Sequence, residues 1–263
     1  MVSIANQDAL ALFDSGSAIS TIGRTMATST GLHIKSVDQG YEAVEGVSVT
    51  LKSGSIKFPL VPILDGLGGV QFVIGQELFS QAVVDIDFDA QRLTLIKPEA
   101  FVAPDSSPMP VKLVYSRPTV QLQVNGGKSG ICAIIDTGFN SGIALTPELA
   151  KEFALATDQG QTTIVQGIDG RPRSVPLIAP LDKVQFGGRT LRNVPAVGAV
   201  PSEERHCPNL VGMAVLSSYH VIFDLKRERI WLLPRSGSRY PGVRSHSPAQ
   251  GPHHAVAVSR VQR

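Results

Sequence analysis

Short stretches in which apolar and polar residues alternate recur along this chain, broken by turns that carry Gly and Asn. Val47 to Leu51, Lys52-Ser53-Gly54 and Ile56 to Ile63 read as strand, turn and strand. Val184 to Phe186, Gly187-Gly188 and Leu191 to Val200 read the same way. A period of two marks strands with one buried face. Two hairpins are also expected, Val2 to Asp8 followed by Ala9 to Phe13, and Val120 to Gly127 followed by Ile131 to Ile135. Helix-like stretches are short and follow apolar pairs that end in Gly, namely Val73-Ile74-Gly75 and Leu210-Val211-Gly212.

These elements occur twice in the same order. Each half opens with a hairpin, continues with strand, turn and strand, reaches its apolar pair with Gly, and closes on Phe-Asp and a last apolar strand. The closing segments are Phe88-Asp89 with Leu93 to Ile96, and Phe223-Asp224 with Ile230 to Leu233. Residues 1–103 and 111–234 are therefore expected to form two similar lobes. The linker 104–110 contains Pro104, Pro108 and Pro110, which hold neither helix nor ladder for long. Mostly β lobes repeated in this way should pack about a pseudo-two-fold axis, with equivalent loops face to face.

The loops that such an axis would bring together are acidic. Phe13-Asp14-Ser15-Gly16-Ser17 and Ile135-Asp136-Thr137-Gly138-Phe139 each follow an apolar strand, and their acids lie 122 residues apart. Gly16 and Gly138 allow a tight turn that a side chain would obstruct. A single Asp-Ser-Gly is a common turn or capping sequence, but two at equivalent places in a repeat point to one shared site. Two carboxyls about 3 Å apart do not both ionise easily, so such a pair keeps one proton over a broad acidic range.

Composition narrows the remaining classes. With 263 residues, 43% hydrophobic and 17% charged, the chain can bury one or two ordinary cores. No apolar run approaches the roughly 20 residues of a membrane-spanning helix. The net charge of +2 is uneven: residues 235–263 carry five Arg and no acid, which leaves 19 basic against 22 acidic residues elsewhere, or −3. That tail, with Ser, Gly, Pro and three His among its Arg, has the composition of a disordered segment. The slightly acidic body argues against nucleic acid. Cys132 and Cys207 are too few for a disulfide framework and are expected as two buried thiols. A bridge between them stays open, because each shortly precedes a repeat motif. Met1 to Asp8 show neither a basic nor an apolar leader region. A cytoplasmic protein is the default expectation, and a periplasmic or secreted one if the start is shortened.

The two triplets and the two apolar-apolar-Gly segments together resemble those of the pepsin-like and retropepsin-like aspartic proteases, over nearly all of residues 1–234. The wording Asp136-Thr137-Gly138-Phe139-Asn140 is closer to the bacterial retropepsin-like type. The resemblance implies an all-β fold of two acid-protease-type β-barrel lobes with a few short helices. It also implies a cleft between them that holds an extended peptide. Asp14 and Asp136 would be the catalytic pair, with no metal or cofactor. The hydroxyls of Ser15 and Thr137 would link the loops through backbone hydrogen bonds, and that of Ser17 could reach the outer oxygen of Asp14. The family's flap is expected most fully in the second half, around Gly167-Ile168-Asp169-Gly170. From Asp14 to Val49 there are 35 residues, against 48 from Asp136 to Val184, so the first-half flap is reduced, with Tyr41 to Gly46 its best candidate.

Other constellations carry less. His33, His206 and His220 have no partners at metal-ligand spacing. Gly66-Leu67-Gly68-Gly69 lacks the strand-to-helix setting and the Lys of a phosphate loop. The expected function is endopeptidase action by a monomer. The alternative is a non-catalytic module that holds a peptide in the same cleft by strand addition.

Overall fold

A computed structural model describes residues 1–37, 40–52, 54–67, 69–125, 130–153, 155, 157–167, 171–199, 206–235 and 257–262, with the backbone alone for 157–160, 166 and 257–262. Strands dominate, as the alternation predicts, and the helices are short: Arg24–Ser29, Gln76–Phe79, Pro147–Glu152 and Met213–Leu216. Three sheets organise the chain. In the first half, Gln7–Ala9, Val2–Ile4, Tyr41–Leu51, Gly54–Leu64, Thr21–Gly23, Phe72–Ile74 and Ala11–Phe13 lie side by side in that order, and Ile34–Val37 pairs with Tyr41–Leu51. The second half repeats the plan with Ile131–Ile135, Asn209–Val211, Ile143–Leu145 and Val194–Gly198 as neighbours.

One strand shows how the sequence sets the core. Val47, Val49 and Leu51 point inward at the period of two, and so does Val44, although it is three residues before Val47. At Gly46, whose φ is +64°, the inward phase changes while the pairing runs on without a shift from Glu45↔Leu60 to Val47↔Phe58. Glycine adopts that left-handed conformation without steric cost.

The third sheet joins the halves. Its order is Met109–Pro110, Arg229–Pro234, Tyr219–Asp224, Val83–Asp87, Arg92–Ile96 and Ala257–Gln262. The closing hairpin of each half thus meets the other through Val221↔Ile86, Ile222↔Asp85 and Phe223↔Val84. Inward residues of this sheet feed the main core, while Val83, Ile96, Ile222 and Trp231 form a second cluster on its outer side. The chain leading to the linker covers that cluster: Phe101 packs edge-on against Trp231, whose indole N–H donates to the Ser106 carbonyl at 3.0 Å.

Two expectations are corrected here. Cys132 and Cys207 are joined by a disulfide, with Cα atoms 5.3 Å apart. They stand just before the parallel partners Ala133↔Asn209, so the ladder itself brings them into range. Part of the basic tail is ordered: Ala257–Gln262 runs parallel to Arg92–Ile96. The β-branched Val258 and Val261 suit a strand, and Arg92–Ile96 has an edge left free by Val83–Asp87 on its other side. The rest of the tail lies outside the described residues.

Beside the interlobe ladder, His220 of the second half meets Asp85 of the first at 2.6 Å, both partly buried. The hydrogen bond with Asp85 raises the His220 pKa, against its desolvation. A raised folded-state pKa stabilises the fold below the ordinary histidine value and loses that contribution as pH rises through the raised value. Replacing His220 by Gln is therefore expected to cost about 1 kcal/mol at pH 5 and much less at pH 9, as measured by urea unfolding. A cost independent of pH would contradict this. Reducing the 75-residue disulfide loop should lower stability by about 4 to 5 kcal/mol on chain-entropy grounds, readable as a shift of the denaturation midpoint with and without reductant.

Candidate active site

Each acidic loop is aimed by a parallel strand pair. Ala11–Phe13 lies against Phe72–Ile74, and Ile131–Ile135 against Asn209–Val211, in matching register. The ladders end with the Asp14 N–H on the Ile74 carbonyl and the Asp136 N–H on the Val211 carbonyl, both at 2.9 Å. Both supporting strands then stop at a glycine against which its loop folds. A Cβ on Gly75 would stand 2.6 Å from the Ile19 carbonyl, and one on Gly212 2.4 Å from that of Phe139.

The loops are tied to each other by a crossed set of bonds. The Ser15 N–H donates to Thr137 Oγ1 at 2.9 Å, and the Thr137 N–H donates to Ser15 Oγ at 3.1 Å. Each hydroxyl then donates across the interface, Ser15 Oγ to the Ile135 carbonyl at 2.8 Å and Thr137 Oγ1 to that of Phe13 at 2.6 Å. All four bonds cross between the halves and lie in a buried or part-buried setting, where unpaired donors would be costly.

This lock brings the carboxyls together. Asp14 and Asp136 hydrogen-bond through their side chains. Asp14 Oδ1 accepts from the N–H groups of Gly16 and Ser17 at 2.8 and 3.1 Å, and Asp136 Oδ1 from that of Gly138 at 2.8 Å. Each carboxyl also rests on the glycine of the opposite loop. A Cβ on Gly16 would lie 2.5 Å from Asp136 Cγ, and one on Gly138 2.6 Å from Asp14 Oδ2. Burial pushes the Asp14 pKa well above the ordinary carboxylate range, and the neighbouring Asp136 charge and hydrogen bond push it further, while the N–H groups of Gly16 and Ser17 pull it back. The pair thus holds a proton where an exposed aspartate would have lost it.

Ser17 corrects one expectation. Its hydroxyl donates to the Ile19 carbonyl at 2.7 Å and not to Asp14. The backbone supplies that contact, because the turn points the Ser17 N–H at Oδ1. The two loops are alike in their backbone here, since the Ser17 and Phe139 N–H groups bond the carbonyls of Asp14 and Asp136 at 3.2 and 3.3 Å. Of the expected flap residues, Tyr41 and Gly167 are described. Tyr41 is exposed at the turn of the short hairpin that pairs it with Val37. Gly167 is exposed just beyond Thr157–Gln166, whose hairpin with Pro172–Leu181 is much longer. Ile168, Asp169 and Gly170 lie outside the described residues. Among the described residues there is no cluster of three or more His, Cys, Asp or Glu able to hold a metal.

Sequence reading missed three supports of the first loop. Buried Gln76 donates its amide to the Ser15 carbonyl at 2.6 Å. Ser20 accepts from the Gly75 N–H and donates to Glu77, each at 2.9 Å. Arg117, from the second half, donates Nε–H to the Gly16 carbonyl at 2.8 Å. The contrast of Gln76-Glu77 with Met213-Ala214 at equivalent repeat positions was the available signal for the first two. Arg117 left none, since its partner is 101 residues away.

Comparison with known proteins bears on the fold. Residues 120–215 match the family model described as aspartyl protease, a segment that includes Asp136-Thr137-Gly138 and Leu210-Val211-Gly212. The aspartic proteinase from Irpex lacteus is similar in structure, with a TM-score of 0.54 and 13% identity, over 89% of this chain and 93% of that one. A retropepsin-like aspartic protease from Rickettsia conorii aligns with 48% of this chain and 91% of its own, at 19% identity and a TM-score of 0.39. No curated protein gave a significant sequence match. The chain has the mostly β, pepsin-like aspartic protease fold.

The raised Asp14 pKa gives a stability test. A group whose folded pKa lies above its unfolded value stabilises the fold below the unfolded value, about pH 4, and loses that contribution as pH rises through the folded value. Asp14→Asn keeps an acceptor for the two N–H groups and carries no charge. Its melting temperature relative to wild type is therefore expected to climb between pH 4 and pH 8. A flat or falling difference would refute the assignment.

Proposed function

We propose that this chain is an aspartic endopeptidase that hydrolyses peptide bonds with a water activated between Asp14 and Asp136. The observation that carries this reading is the hydrogen-bonded carboxyl pair, one from each half, fixed by the crossed bonds of Ser15 and Thr137. A pair sharing one proton has the two groups that amide hydrolysis needs. The ionised carboxylate takes a proton from the attacking water, and the protonated carboxyl donates to the carbonyl oxygen as charge develops there. The tetrahedral intermediate collapses when the departing nitrogen is protonated, and water has by then added to the carbonyl carbon. No covalent link to the enzyme forms.

On this reading an extended peptide lies across the pair. The short hairpin ending at Tyr41 and the longer one of Thr157–Gln166 with Pro172–Leu181 are the segments proposed to cover it, with Gly167, Ile168, Asp169 and Gly170 at the longer tip. One chain supplies both carboxyls, so we propose that it acts as a monomer. The fold similarity and the aspartyl protease match support a proteolytic role in general.

The test is incubation of an unfolded protein substrate with wild type, Asp14→Asn and Asp136→Asn across pH 3 to 7. Wild type is expected to cleave with an acidic optimum, and each variant to lose about 10³-fold or more in rate. Fragments that persist in either variant would overturn the two-carboxylate mechanism. Peptide binding by wild type without cleavage would identify a binding module instead.

A further inference from the structure

Gly16 touches both carboxyls of the pair, as Gly138 does from the second loop. The Gly16 N–H donates to Asp14 Oδ1 at 2.8 Å, and its Cα faces Asp136 so closely that a Cβ would lie 2.5 Å from Cγ. Only its carbonyl points away, and that carbonyl is taken by Arg117 Nε–H from the other half of the chain. The second loop has no equivalent: among the described residues no side chain donates to the Gly138 carbonyl.

Arg117 is delivered to this position at a conformational cost. It pairs with Val114 to close the hairpin of Lys112–Val114 and Arg117–Val124. The two turn residues, Tyr115 and Ser116, have φ of 48° and 61° although neither is glycine. Both positive angles are what a two-residue hairpin turn of this hand requires, and L-residues with side chains adopt them reluctantly. The Tyr115 ring, largely exposed, stacks on His206 at 5.4 Å and an angle of 17°. Strain of this kind persists where the surroundings over-determine it, and it concentrates at functional sites.

Charge makes the contact more than a clamp. The elements packed on the two loops are Ala11–Phe13, Phe72–Ile74, Gln76–Phe79, Arg117–Val124, Ile131–Ile135, Asn209–Val211 and Met213–Leu216. Besides Asp14 and Asp136, the charged residues in them are Glu77 and Arg117 alone. Glu77 is engaged by the N–H and hydroxyl of Ser20. Arg117 has no ion-pair partner among the described residues, and a guanidinium stays protonated at every relevant pH.

We propose that Arg117 is a cross-lobe positioning residue that fixes the Gly16 peptide between the two carboxyls and favours ionisation of the pair. It acts through Gly16 and does not contact the reacting atoms. The kinetic part of this inference rests on the endopeptidase reading, whereas the titration part does not.

The experiment follows the aspartate carboxyl carbons by NMR, from pH 2 to 9, in wild type, Arg117→Met and Arg117→Lys. In Arg117→Met both titration steps of the pair are expected to move to higher pH, by about one unit, because an opposite charge has been removed. Arg117→Lys should bring them most of the way back. Should Arg117→Met fold poorly, Arg117→Gln carries the same expectation, since it removes the charge and keeps a donor. In peptide hydrolysis, kcat of Arg117→Met should fall about tenfold or more, with KM little changed, as expected for misplacement of reacting groups. Titration curves that superimpose for wild type and the charge-removing variant, at equal melting temperature, would overturn the proposal. If the titration shifts while wild type cleaves nothing, the endopeptidase reading fails and the role of Arg117 stands.

Discussion

The site depends on four hydrogen bonds that no single half of the chain can make. Ser15 and Thr137 each donate and accept across the interface, backbone to side chain and side chain to backbone. A carboxyl pair is electrostatically unwelcome in a buried place, because two charges repel and neither is well solvated. The crossed bonds hold the loops where that pair must form, and the shared proton relieves the repulsion. The approach needs glycine at both third positions, since each Gly backbone is the surface on which the opposite carboxyl rests.

Symmetry around this lock is approximate. Asp14 Oδ1 accepts from the N–H groups of Gly16 and Ser17, and Asp136 Oδ1 from that of Gly138. The first loop is also braced by Gln76, Ser20 with Glu77, and Arg117. The hairpins are unequal in the opposite sense, long in the second half and short in the first. The better supported loop and the longer hairpin thus belong to different halves.

Much of this was legible in the sequence because it is local or repeated. Alternation placed the strands, and the duplicated order placed Asp14 against Asp136 and Ser15 against Thr137. What failed was the direction of a single group: the Ser17 residue was right and its donor was wrong, since sequence does not say whether a turn presents N–H or O–H. Contacts between unrelated positions were also hidden. Cys132 meets Cys207 only because two parallel strands start together, and Arg117 reaches Gly16 only after the lobes have docked. The strand at 257–262 was masked by the composition of the tail around it.

The sequence distance spanned by the crossed bonds also sets an order of events. Contacts closed over 122 residues form late, after local hairpins and helices, because the intervening chain must first be ordered. The sheet that aligns the halves needs Tyr219–Asp224, which lies beyond Asp136 in the chain. During synthesis, the first loop therefore emerges long before its counterpart exists. Until the last core strands leave the ribosome, the two carboxyls are separate and ordinary, and the growing polypeptide has no assembled centre.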